Sequence, residues 1–259
     1  MRAMNFPIIS LRWLPVWRRN FLVWRKLLGP SLLANFIEPL LYLFALGFGL
    51  GVFVGDMQGM PYSVFLASGL VCASAMNTAT FEALFSAFTR MSHQQTWQGM
   101  LATPLIVDDI VLGEMLWAGT KSLLSVAPIL AVAAGLGLVH DLNALWVLPL
   151  VLLVGASFAA LALCVTAFAK SYDFFMYYMT LGITPMFLLS GTFFPLETMP
   201  QAIQWGAQIL PLTHAVELVR PLMTGQPLTQ PLLHLGVLVL YGAAGLYVAC
   251  VLLRRRLLA

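Results

Sequence analysis

The sequence predicts an all-α polytopic membrane protein, and three observations carry that expectation. Of 259 residues, 61% are hydrophobic and only 9% charged, against roughly 25% charged in an ordinary soluble domain, so a soluble surface could not be covered. Apolar runs recur at a length of about 20 residues, enough for a helix to cross roughly 30 Å of hydrocarbon. Basic residues gather on alternate connections, as the positive-inside rule requires of a multi-span chain. The predicted architecture is six transmembrane helices with an N-terminal amphipathic interface helix. An extracellular re-entrant helical hairpin lies between spans five and six, and residues 1–259 form one membrane domain.

Residues 1–29 interleave Arg2, Arg12, Arg18, Arg19, Arg25 and Lys26 with Trp13, Trp17, Phe21 and Trp24. The four aromatics recur at helical spacing and so line one helix face. Basic residues with interfacial tryptophans predict a retained helix lying on an anionic membrane surface, with lipid as its partner. No signal-peptide pattern of a short apolar core and a small-residue cleavage site is visible.

Span one is expected over 30–54, with Pro30 near its start and Glu38-Pro39 inside it. A membrane carboxylate is costly, so Glu38 should face protein or water. A polar turn with Asp56 leads to span two, 62–86, whose Asn77, Thr78, Thr80 and Glu82 form a polar stripe that either packs helices or lines a path.

The stretch Arg90–Glu114 is longer than a turn between spans needs. Met91, Trp97, Met100 and Leu101 can share one helical face, with His93, Gln94, Gln95 and Gln98 around the rest. Thr103-Pro104 interrupts, and Asp108-Asp109 stand where a new helix would begin, near its positive dipole end. A short amphipathic surface helix is expected within 90–110, offered to a partner or resting on lipid.

Span three follows over 112–138, with Lys121 on nearly the same face as Glu114; spans four and five cover 144–169 and 174–191. Residues 192–230 are too apolar for a solvated loop, yet Pro195, Pro200, Pro211 and Pro221 divide them below spanning length. Two helical pieces, near 199–210 and 212–224, suit a re-entrant hairpin shielded by protein, because lipid tolerates no unpaired backbone; a seventh and eighth full span is the competing reading. Span six, 232–253, ends at Arg254-Arg255-Arg256.

With six spans, one side holds eleven of the thirteen Lys and Arg residues, all but Lys121 and Arg220. Both termini and the 90–110 loop are therefore expected in the cytoplasm. The chain contains no GxxxxGK[ST] phosphate cradle and no HExxH, so it carries neither that ATP site nor that metal site. No metal site, nucleic-acid partner or enzymatic activity is expected. Ser157, in Gly155-Ala156-Ser157-Phe158, lacks the second glycine of an intramembrane protease motif and reads as a packing residue. Cys72, Cys164 and Cys250 lie in apolar runs with no redox spacing.

Glu38, Glu82 and Lys121 are the ionisable residues within spans. An ion-coupled secondary carrier would use such groups, although no internal repeat of the kind carriers show is visible. Interhelical hydrogen bonding of Glu38 and Glu82, and snorkelling of Lys121, are the plainer readings. A non-transporting anchor is a third.

Several stretches together resemble the ABC type-2 transporter permease family. They are Ser190-Gly191, Phe194-Pro195, Leu196-Glu197…Pro200, Leu210-Pro211-Leu212-Thr213-His214 and Arg220…Gly225. In the loop they are Thr96-Trp97…Met100-Leu101-Ala102-Thr103-Pro104 and Asp109-Ile110-Val111-Leu112-Gly113-Glu114, joined by Leu46-Gly47-Phe48-Gly49-Leu50-Gly51 in span one. The resemblance covers essentially the whole chain and is strongest to the nodulation-factor exporter branch; Gln98 departs from an expected acidic residue. It implies an exporter half in the bacterial inner membrane that forms a homodimer and pairs with two copies of a separate ATPase, which binds ATP and Mg.

On that resemblance, Trp97, Met100 and Leu101, with Gln94, Thr96, Gln98, Thr103 and Pro104, would contact the ATPase. Arg90, Asp108, Asp109 and Glu114 would hold the loop. Phe194, Pro195, Glu197, His214, Glu217 and Arg220 would form the hairpin and shape the exit, with Glu217 and Arg220 spaced to pair. A lipid- or glycan-type amphiphile is the implied cargo; a drug-type efflux permease fits the same architecture.

Overall fold

The computed structural model describes residues 6–258, apart from the side chains of residues 30–36. Arg2 and the side chain of Pro30 lie outside the described residues. The chain opens with helix α1, Trp13–Arg25. Helix α2, Leu28–Tyr42, continues through wide π-type turns over Leu43–Leu50 to a last turn, Gly51–Val54. A two-residue hairpin pairs β1, Asp56–Met57, with β2, Met60–Pro61, and leads into α3, Tyr62–His93.

After α3 come the short helix α4, Thr96–Leu101, and the long α5, Val107–Gly135. A 3₁₀ turn, Leu142–Trp146, starts α6, Val147–Phe168. Helix α7 is Asp173–Leu189. Helices α8, Gln201–Ala207, and α9, Pro211–Thr224, precede α10, Pro231–Leu258.

Among the described residues, five helices are long and apolar enough to cross a membrane, and α7 is a shorter apolar helix. The two helical pieces expected between residues 192 and 230 are present as α8 and α9. Proline begins α9, where its missing N–H is no loss, and Gly225, at φ +75°, ends it.

Helix α3 is the centre of the bundle: 89% of its apolar window is buried, against 11% for α2, which sits at the edge. Small residues allow the close contacts. A Cβ on Gly119 would come within 2.9 Å of the Leu152 carbonyl, and one on Gly155 within 2.6 Å of Ser122 Oγ, so α5 and α6 touch backbone to backbone. Ser157 Oγ lies 2.9 Å from the carbonyls of Leu153 and Leu238, joining α6 to α10 as a packing residue.

The N-terminal segment, the start of α5 and the end of α10 meet at one end of the bundle. Asp108 accepts from the Ile8 N–H at 2.8 Å and from Arg254 Nε at 2.6 Å. Arg256 donates to the carbonyls of Thr166 and Ala167 at the C-terminus of α6. At the other end, the His140 N–H donates to the Met223 carbonyl, and Gln58 donates to Glu197.

The aromatic face of α1 is turned differently from its expected place on lipid. Trp17 Nε1 donates to Thr120 Oγ1 at 3.0 Å, and the rings of Phe21 and Trp24 meet Trp117 edge-on at 6.3 and 6.0 Å. Trp17, Phe21 and Trp24 therefore seat α1 against α5, Trp13 is half-buried, and the exposed large apolar residues of α1 are Leu14, Leu22 and Val23. A helix with apolar residues on two faces can do both, which spacing within α1 alone could not decide. Arg18 and Arg25 are exposed.

Candidate functional site

Glu82 and Arg90 are separated by eight positions, which in a regular helix leaves them about 80° apart. Within α3, however, the stretches Glu82–Ser86 and Thr89–His93 adopt wide π-type turns. Such turns rotate less per residue and bring both side chains to the side facing α5. There α5 presents Glu114, Trp117 and Lys121, spaced three and four apart on one face.

The result is a buried, formally balanced cluster of two carboxylates and two cations. Glu114 receives Arg90 Nε at 2.9 Å and Nη2 at 2.5 Å, Trp97 Nε1 at 3.1 Å and Asn20 Nδ2 at 3.1 Å. Glu82 receives Arg90 Nη2 at 2.8 Å, Trp117 Nε1 at 2.9 Å and Lys121 Nζ at 2.7 Å. Buried charges are tolerated only when paired and hydrogen-bonded in this way. The cluster ties α1, α3, α4 and α5 into one unit.

Helix α4 forms after Gln95, whose positive φ of 51° breaks the preceding turn. Trp97 is fully buried and hydrogen-bonded to Glu114, which corrects its expected role as an exposed docking residue. Its apolar ring and single N–H suit a buried anchor. Met100 and Leu101 are half-buried and packed on the core. The exposed edge is polar or small instead: Gln94, Gln98, Gly99, Thr103 and Pro104, with Thr96 half-exposed. A groove of about 450 Å³ between α1 and α4 is lined by Arg19, Thr96, Gly99 and Thr103 among others.

Hydrogen bonds at the start of α5 fasten the loop. Asp109 accepts from the Ile106 N–H at 3.1 Å, capping α5, and from Ser10 Oγ at 2.6 Å. Arg12 Nη1 donates to the Pro104 carbonyl at 3.1 Å. A Cβ on Gly113 would fall 2.6 Å from Val16 Cβ, so glycine there lets α1 seat on α5. Asn20, Trp117 and Ser10 were not singled out by sequence reasoning, and Arg254 was read only as part of the basic end of span six. Trp117 alone gave a signal, by its spacing from Glu114 and Lys121.

Lys121 is held within the cluster by Glu82 at 2.7 Å. Its side chain also lines a cavity of about 400 Å³ between α2, α3 and α7, together with Glu38, Asn77, Ser74, Phe81 and Phe187. Glu38 is exposed there. The structure thus brings Glu38, Asn77 and Lys121 to one groove and assigns Glu82 to the ion-pair cluster beside it.

In α9, Arg220 is buried rather than paired with Glu217. It donates to Ser68 Oγ at 3.0 Å and to the Gly191 carbonyl at 2.7 Å, and its guanidinium lies 3.7 Å above the Phe65 ring. Oxygen acceptors and an aromatic face inside the protein outcompete one neighbouring carboxylate. His214 is also buried, with Nδ1 2.8 Å from His234 Nδ1 and Nε2 2.8 Å from the Gln208 carbonyl. Both Arg220 and His214 are buried within the protein. Pro195 is buried, Glu217 half-buried, and Phe194 and Glu197 exposed.

A model of the ABC-2 type transporter family matches residues 13–224, which include the whole ion-pair cluster and helices α8 and α9. The chain belongs to that family. The permease is 49% identical to Nodulation protein J of Rhizobium leguminosarum bv. viciae over 258 residues, covering all of both chains. It is 46% identical to Nodulation protein J of Rhizobium meliloti (strain 1021) over 252 residues, 97% of this chain and 96% of the relative. It is also 25% identical to the Inner membrane transport permease YadH of Escherichia coli (strain K12) over 237 residues, 91% of each. This permease is accordingly a transport subunit embedded in a membrane.

Proposed function

We propose that this permease is one half of an ATP-driven exporter that moves an amphiphile with lipid and glycan parts, such as a lipo-oligosaccharide, out of the cytoplasm or inner leaflet. In this reading the bacterial inner membrane is crossed six times, with α7 as the fifth span and α8–α9 re-entering from outside. Both termini and α4 are cytoplasmic. Two copies form the path, and two copies of a separate ATPase bind ATP and Mg and press on α4.

The observation that carries this reading is the continuity from α4 to the groove. Trp97 of α4 bonds Glu114, Glu114 bonds Arg90, Arg90 bonds Glu82, and Glu82 bonds Lys121, which lines the groove with Glu38 and Asn77. A push on α4 is thereby delivered to polar residues beside a membrane cavity. A charge-balanced cluster can change partners without leaving a charge bare, which is what a two-arrangement element needs. The groove's carboxylate, amide and aromatic rings suit a glycan headgroup.

An ion-coupled carrier would have to rely on Glu38, because Glu82 is occupied by Arg90 and Lys121. A drug-type efflux cargo is distinguished by substrate competition. The deciding experiment is purification of the tagged chain from its native membrane, with and without Gly99→Trp. A Cβ on Gly99 meets nothing within 4 Å, so the added ring should block docking and leave the fold. Stoichiometric co-purification of an ATPase, lost in the variant, supports the reading. A chain that purifies alone, or an ATPase retained by the variant, overturns it.

A further inference from the structure

At the end of the bundle opposite α4, the start of α6, the end of α9 and the start of α10 enclose a cavity of about 600 Å³ that no step of export above uses. That volume lies within the roughly 300–1,000 Å³ of sites that take a drug-sized ligand. Its wall is aliphatic, formed by Leu150, Leu153, Leu218, Leu222 and Leu235. Its rim carries Asp141 and Asn143, with Trp146 beside them.

The rim is built. Asp141 accepts from the Asn143 backbone N–H at 3.0 Å and from Asn143 Nδ2 at 2.8 Å. These two hydrogen bonds hold its carboxyl below the usual carboxylate range, backbone bond first. A carboxylate has about four acceptor positions, so this exposed group can take further donors. The His140 N–H bonds the Met223 carbonyl, fastening the turn to α9. Gly225, in its left-handed conformation, passes close to Asp141, where an added Cβ would lie 3.7 Å from Oδ2.

Depth and charge narrow the occupant. Trp146 is 67% exposed on the 3₁₀ turn, and exposed tryptophan marks the membrane–water interface, which sets Asp141 at headgroup level with the leucine wall below. No Lys or Arg occurs in residues 122–169 or 221–253, and Arg220 is turned inward to Ser68 and Gly191. An anionic headgroup would meet a carboxylate and no cation; an ammonium would meet its complement.

We infer that this cavity is a binding site for a membrane phospholipid with an amine headgroup, its ammonium on Asp141 and an acyl chain along Leu150, Leu153 and Leu222. The inference rests on placement in a membrane and goes beyond export, so either can fail alone.

The test is native mass spectrometry of the full chain released from detergent, titrated with phosphatidylethanolamine or phosphatidylglycerol of identical acyl chains. The wild type should retain the amine lipid about threefold better, the modest preference expected of an exposed charge pair. Asp141→Asn keeps a turn-forming side chain and should abolish the preference while leaving total binding. Leu153→Trp should fill the cavity and lower retention of both lipids. Equal retention of the two lipids by the wild type, a preference that survives Asp141→Asn, or retention unchanged in Leu153→Trp would each overturn the assignment.

Discussion

Replacing Arg90 by Met tests the ion-pair cluster most directly. Arg90 makes three of the seven hydrogen bonds that converge on Glu82 and Glu114. After Arg90→Met, Glu82 keeps Lys121 and Trp117, but among the described residues the hydrogen bonds left to Glu114 come from the neutral donors Trp97 and Asn20, with Arg19 close enough to act on it only through space. One buried carboxylate is then uncompensated, and removing one partner of a buried pair costs about 3–5 kcal/mol. Adding Glu114→Gln returns the cluster to neutrality, and its amide oxygen can still accept from Trp97. The double variant should therefore recover about 2 kcal/mol relative to Arg90→Met alone, a coupling within the ordinary range for contacting residues. Unfolding of the full chain in mixed micelles, followed by tryptophan fluorescence, reads both, since Trp97 and Trp117 lie in the cluster. A loss below about 1 kcal/mol for the single change, or a double variant as unstable as the summed singles, would refute charge balance as the organising cause.

Other perturbations address neighbouring contacts. Arg254→Ala removes the cation on Asp108 and should lower transported substrate per ATP hydrolysed while membrane insertion persists; Asp108→Asn combined with it should behave no worse than either alone. Gly113→Ala places a methyl group against Val16 and should cost about 1–3 kcal/mol as overpacking, read as faster proteolysis of the N-terminal helix. Trp97→Phe keeps an aromatic ring but loses the indole donor to Glu114, so thermal unfolding should show a loss of about 1.5–3 kcal/mol, as expected for hydrogen bonds to charged groups. Glu38→Gln should change substrate competition with little effect on unfolding, because Glu38 is exposed in its groove.

Membrane residence, the helical class, the proline-cut pair α8–α9 and the acidic start of α5 were all legible in the sequence. Each follows from local rules: hydrocarbon thickness sets run length, proline and glycine end helices, and carboxylates favour helix N-termini. Arg90, Glu114, Asp108 and Asp109 were legible as a group because charge is rare in so apolar a chain. Their pairings were not. Which cation meets which carboxylate depends on how wide turns in α3 rotate Arg90 toward α5, and on where α10 brings Arg254, more than a hundred residues along the chain from Asp108. Trp97 and the aromatic face of α1 show the same limit. Helical spacing states that residues share a face, whereas the surface that face meets, lipid, a partner or α5, is chosen by packing between distant segments. Arg220 turned from its neighbour Glu217 to Ser68 and Gly191 because tertiary structure supplied buried oxygens and the Phe65 ring, which no local pattern contains.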